Sequence, residues 1–219
     1  PIRVGGGLRG SGTAADPWKI ETQRDLETVR SMVEKGMSFA GEYLEMTGDI
    51  TLPQGWTPIG GSMSAPFSGD WNGGNFTLTV PEGGLPLLGC VNGAKVSNLK
   101  IYGARIAGYG LVNDLQGVGC SGQAIVIDHV TLKSGSATKK AGLIGTAPSS
   151  NPYAGCSRDF LVTITNCTVE SGVVIGYDKD QSAIGSLAGR INGVISGCTS
   201  AATVYGTDYV GGILGTRDN

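Results

Sequence analysis

The chain has 219 residues, with 16 basic and 18 acidic side chains and a formal charge of −2 at pH 7. The charges form no basic stripe, which argues against nucleic acid as a partner, and no apolar run reaches the roughly 20 residues that span a bilayer. Glycine is the outlier, at 38 residues, yet there is no Gly-X-Y period, and a hydrophobic content of 40% opposes a disordered linker.

Residues 1–12 are Gly-rich and unpatterned and read as a flexible lead-in. Pro1 is not a natural start and Asn219 interrupts a repeat, so the chain reads as a piece of a longer protein, truncated at its C-terminal end. Residues 13–52 read as an N-terminal cap. Thr22-Gln23-Arg24-Asp25 has the pattern of a helix start, a capping hydroxyl followed three residues later by an acid that reaches back. Leu26, Val29, Met32 and Val33 then share one face and Gly36 is a natural stop, which predicts a helix over about 23–35. Such a helix is expected to cover the apolar end of the first coil. Tyr43, Leu44, Met46, Ile50 and Leu52 predict short strands, and Phe76–Val80 a further strand after the turn-rich Trp71-Asn72-Gly73-Gly74-Asn75.

Residues 53–219 read as stacked coils. Four segments overlay: Val96–Ile101, Ile127–Leu132, Ile164–Val169 and Ile195–Ser200. Their first column recurs after 31, 37 and 31 residues (Val96, Ile127, Ile164, Ile195). Their third column, Asn98, His129, Asn166 and Gly197, holds residue types that tolerate a left-handed backbone, so it predicts a corner. A second apolar column follows at Leu87, Leu111, Leu143, Leu187 and Ile213. A period near 30 with short strands and such corners predicts an all-β stacked solenoid. Insertions at about 114–124 and 147–160 break the period, and loops of this kind on a rigid scaffold are where function concentrates.

Gly10-Ser11-Gly12-Thr13-Ala14-Ala15-Asp16-Pro17-Trp18-Lys19-Ile20, Trp56-Thr57-Pro58-Ile59-Gly60 and Pro66-Phe67-Ser68-Gly69-Asp70 resemble the opening segment of bacterial surface β-solenoids. The Ile-x-Asn-Cys-x-Val and Gly-Gly-Ile-Leu-Gly units resemble the GLUG motif that follows such segments. The resemblance runs over nearly the whole chain from Gly10, with departures at Gly185-Ser186-Leu187-Ala188-Gly189 and at the two insertions. It implies a right-handed parallel β-helix, exported and displayed on a bacterial cell surface within an adhesin or beside a secreted peptidase domain. The partner it implies is a host or bacterial surface glycan or protein.

Candidate chemistry is sparse. Parallel β-helices also carry polysaccharide lyases and pectin hydrolases, and a hydrolase of that kind needs carboxylates converging on one sugar bond. Acids here are scattered, and Asp128 is the sole acid in its column, beside Ser97, Thr165 and Ser196. His129, the one histidine, occupies the corner column and has no partner spacing for a triad, so its role is read as structural. Asp178-Lys179-Asp180 reads as a solvated corner, and no catalytic residue, metal site or cofactor is assigned.

Among Trp18, Trp56, Trp71, Tyr102, Tyr109, Tyr153, Tyr177, Tyr205 and Tyr209 some rings could stack on sugars. Trp18 and Trp56 are expected in cap packing, and Tyr153 in the second insertion is the ligand-binding candidate. The threonines show no regular Thr-x-Thr ladder. Of five cysteines, Cys167 and Cys198 share a core column, while Cys120 and Cys156 lie in loop-like stretches and are the disulfide candidate, which would imply an oxidising compartment. The expected function is a non-catalytic adhesion or ligand-binding module. A carbohydrate-active enzyme built on the insertions and a pure spacer stand as alternatives.

Overall fold

A computed structural model describes residues 7–62, 64–114, 125–145, 162–191 and 193–217. Tyr153, Cys120 and Cys156 lie outside the described residues. In chain order the elements are β1 (Trp18–Ile20), α1 (Gln23–Glu34), β2 (Tyr43–Met46), β3 (Ile50–Thr51), β4 (Asp70–Asn72), β5 (Thr77–Thr79), β6 (Leu88–Cys90), β7 (Lys95–Tyr102), β8 (Val112–Asp114), β9 (Ile125–Leu132) and β10 (Ala137–Thr138). They continue as β11 (Val162–Thr165), β12 (Thr168–Val169), β13 (Val174–Ile175), β14 (Ile184–Gly185), β15 (Ala188–Ile191), β16 (Gly193–Ser196), β17 (Thr199–Ser200), β18 (Thr203–Val204), β19 (Val210–Gly211) and β20 (Leu214–Arg217).

These strands wind into a parallel β-solenoid. The main sheet orders β1, β2, β4, β7, β9, β11 and β16, one rung per coil, every neighbour parallel. Its inward ladder runs Trp18, Leu44, Trp71, Val96, Ile127, Ile164 and Ile195. The four members read from the sequence are in register as expected, and Trp18, Leu44 and Trp71 extend the column toward the N-terminus. The second column is held by backbone hydrogen bonds from Ile59 to Leu87, Leu111 to Leu143, Leu143 to Leu187 and Leu187 to Ile213, at 2.9–3.0 Å except where a neighbouring residue donates instead. A third ladder joins β10, β13 and β18. Inward side chains of all three sides meet in one core, where Leu87, Leu111, Leu143 and Leu187 are wholly buried.

The corner column behaves as its residue types predict. Asn98, His129, Asn166 and Gly197 have φ of 52, 51, 52 and 62°. One left-handed residue per coil turns the chain without breaking the ladder on either side, since Leu99 pairs with Val130 just beyond it. The side chains of Cys167 and Cys198 follow in that core column. Val130 N donates to Cys167 Sγ at 3.4 Å, Cys167 N donates to Cys198 Sγ at 3.3 Å, and burial pushes the Cys167 thiol up to about 12.

The helix forms with the expected start. Thr22 N donates to Asp25 Oδ2 at 2.9 Å, and Thr22 Oγ1 accepts from Asp25 N at 3.4 Å, the two arms of a capping box. Leu26, Val29 and Val33 are buried in the common core, with Met32 packed at its margin. Because β1 pairs with β2 on either side of it, α1 lies inside the first coil, where later coils have strands. Gln23 Nε2 donates to Thr51 O at 2.7 Å and ties the helix start to the edge of β3.

Candidate functional site

Outward side chains decide what a solenoid can bind, because parallel register stacks them into columns whose successive members lie about 4.8 Å apart. On the main sheet Tyr43, Asp70 and Lys95 form one outward column over β2, β4 and β7, and Glu45, Asn72 and Ser97 form the next. Between them runs a shallow groove of about 200 Å³, closed at one side by Ala14 and Pro17 of the N-terminal loop. Leu44 and Trp71 lie beneath it, and Trp71 packs against Phe67, which in turn packs against Phe39, at centroid distances of 6.2 and 6.1 Å. The floor is therefore rigid core.

The polar groups of the groove differ in how far they are committed. Asn72 Oδ1 accepts from Gly74 N and from Asn98 Nδ2, each at 3.1 Å, which fixes the amide and turns its Nδ2 away from those donors. Glu45 is ion-paired with Lys19. Asp70 and Lys95 are register partners on neighbouring rungs, yet among the described residues neither has an ion-pair partner. Tyr43 keeps 38% of its surface exposed. The groove thus offers a partly exposed aromatic ring, an uncommitted carboxylate and an uncommitted ammonium on three successive rungs.

Other sequence candidates fall elsewhere. Trp56 and Trp71 are buried, and Trp56 Nε1 donates to Pro86 O at 3.2 Å, so both belong to packing, as does Tyr109. Trp18 is half-buried and donates from Nε1 to Glu42. Tyr205 and Tyr209 are exposed, whereas Tyr177 is half-buried. Thr131, Thr168 and Thr199 do stack into one outward column, which Lys100 interrupts at the preceding rung.

Asp128 and His129 meet Thr165 in a cluster on the same sheet. Asp128 accepts from Thr165 Oγ1 at 2.7 Å, from Asn166 Nδ2 at 3.0 Å and from His129 Nδ1 at 2.9 Å. The Thr165 hydroxyl, then the histidine and Asn166, hold its carboxyl down at about 2. The order of contacts differs from that of a triad, which has histidine between nucleophile and acid, whereas here the acid lies between the Thr165 hydroxyl and the histidine. The cluster ties coils together.

Sequence reasoning did not single out Tyr43, Asp70 or Lys95. Tyr43 was legible only as part of a strand, and its outward neighbours come from residues far along the chain. The available signal was the alternation around Leu44 and Trp71.

No protein-family model matches the chain. The chain is 29% identical over 207 residues to Halomucin of Haloquadratum walsbyi, a match that covers 94% of this chain and 2% of that protein. It also superposes on a crystal structure from Bacteroides ovatus, named as a candidate immunoglobulin A1 protease, with a TM-score of 0.59 and 22% identity. That match covers 95% of this chain and 64% of the other, and it shows a shared fold.

Proposed function

We propose that the chain is a non-catalytic ligand-binding module of a surface or secreted protein, and that the groove beside Tyr43 takes a glycan. The observation that carries this reading is the juxtaposition of the exposed Tyr43 ring with Asp70 and Lys95. A tyrosine face stacks on the apolar face of a sugar, while a carboxylate accepts from hydroxyls and an ammonium donates to them. Both flanking columns sit on rigid strands, so little backbone ordering remains to oppose binding. The likeness to Halomucin supports a surface or secreted setting, in which adhesion is the role we propose.

A hydrolytic reading has one observation in its favour, since Asp70 and Glu45 both line the groove from neighbouring rungs. With rungs about 4.8 Å apart and two residues of strand between them, such diagonal positions stand about 8 Å apart along the sheet, which lets their carboxyl groups approach the separation glycosidases use. Such enzymes need one carboxyl as a proton donor, and the ion pair to Lys19 commits Glu45 otherwise. Binding without turnover is the better account.

A glycan array followed by calorimetric titration tests it. Tyr43→Ala should weaken any glycan found by about tenfold or more, the loss expected for about 1.4 kcal/mol of stacking and burial. Retained affinity in that variant, or sugar cleavage by wild type that disappears in Asp70→Asn, would overturn the reading.

A further inference from the structure

A second surface, distant in sequence from the groove, has a different chemistry. Ile106, Thr138, Ile175 and Val204 are successive partners along the third ladder. Their neighbours Arg105, Lys139, Tyr177 and Tyr205 are thereby brought to one corner over four consecutive coils. Arg105 Cζ lies 4.3 Å from the Tyr177 ring centroid, and Lys179 Nζ lies 4.6 Å from that of Tyr205. The left-handed backbone at Lys179, with φ of 65°, turns the loop at that residue.

The cations divide into committed and open ones. Lys139 Nζ is 3.1 Å from Asp178 Oδ2, an ion pair that raises the lysine further. Arg105 and Lys179 are exposed and have no carboxylate partner among the described residues. Each is instead braced on a tyrosine ring. Bracing restricts rotamers before any ligand arrives, so less entropy is lost when the cation meets an anion. Their backbones stand two coils apart, about 10 Å along the axis, and the Arg105 side chain reaches up to the ring of Tyr177 in the coil that carries Lys179. Acceptors flank Lys179 in the chain: Asp178, paired with Lys139, and Asp180, held by the Gln181 amide.

We infer that this corner binds an anionic glycan lying along the solenoid axis. Arg105 and Lys179 take carboxylate or sulfate groups on separated sugars, and Asp180 and Gln181 take hydroxyls between them. The interleaved carboxylates select for that chemistry. They accept from sugar hydroxyls, which a phosphodiester chain presents sparsely, and a uniformly basic stripe would suit that chain better.

The test is titration of the full chain with polygalacturonate, dextran sulfate, uncharged dextran and a single-stranded oligonucleotide at low and moderate salt. At least one of the two charged glycans should bind, with affinity falling as salt rises, and comparing them separates carboxylate from sulfate as the preferred group. Arg105→Ala combined with Lys179→Ala should weaken that binding tenfold or more. Tyr43→Ala should leave it unchanged, which keeps this site distinguishable from the groove. Both cations are exposed, so an unchanged melting temperature is expected for the double variant. Equal binding by a folded double variant would overturn the inference, as would binding to uncharged dextran alone, no binding to either charged glycan, or tighter binding to the oligonucleotide.

Discussion

Replacing His129 by asparagine and, separately, by valine isolates what the corner column requires. The backbone at His129 has φ of 51°, against 52° at Asn98 and Asn166 and 62° at Gly197. Asparagine tolerates that region, so His129→Asn forfeits mainly the 2.9 Å contact from Nδ1 to Asp128. The imidazole is 58% exposed, which places that contact among surface pairs of about 1 kcal/mol or less. Part of it is recoverable, because Asn98 and Asn166 each donate from Nδ2 to the polar residue one coil back, Asn72 and Asp128. An asparagine at 129 would face Ser97, the register partner of Asp128, in the same way. The expected cost is therefore under about 1 kcal/mol. Valine loses the contact and adds about 1–2 kcal/mol of left-handed strain, for a total of about 2 kcal/mol. Urea unfolding of the three proteins reads the difference as a shift in midpoint at constant slope. Equal midpoints for the valine and asparagine variants would refute the corner argument.

Leu26→Asp should destabilise the domain by several kcal/mol, since Leu26 is fully buried on the inner face of α1 and the change places an unpaired charge there; wild-type melting would remove the cap assignment. The depressed carboxyl of Asp128 should make stability depend on pH in a defined window. Its contribution is fully present above the unfolded aspartate value near 3.9 and is lost as pH falls through about 2. With the side chain 28% exposed, the loss should be on the order of 1 kcal/mol, and Asp128→Asn should show a flatter melting profile between pH 5 and 2. Non-reducing mass mapping should show Cys120 linked to Cys156; alkylation of both thiols in the native protein would refute that pairing.

The repeat was legible wherever coils share one corner. In β7, β9 and the β11–β12 coil, a single residue, Asn98, His129 or Asn166, separates the two straight stretches, so the segments align letter for letter. One coil earlier the corner is wider. Asn72 pairs with Ser97 and Thr77 with Lys100, so four residues on β4–β5 span what two span on β7. Gly74 and Asn75 both take positive φ there. This two-residue excess hides Leu44 and Trp71 from a period search although they belong to the same ladder. Ile59 was hidden for a related reason, since its Trp-Thr-Pro-Ile-Gly context carries no glycine-flanked apolar triplet.

A candidate site was harder to read because a solenoid assembles its surface across coils. Two outward rows of the main sheet contain similar polar residues and differ in what those residues touch. Along Asp128 and Thr165, with Asn166 at the adjoining corner, the polar groups bond to one another from coil to coil, so the row is spent on holding the stack. Along Tyr43, Asp70 and Lys95 the register is equally good, but no such bond joins the side chains. Neither row differs from the other in composition enough to reveal this from the sequence. The distinction depends on which neighbours lie one coil away, and it points to the Tyr43 row as the surface with unspent hydrogen-bonding capacity for a ligand.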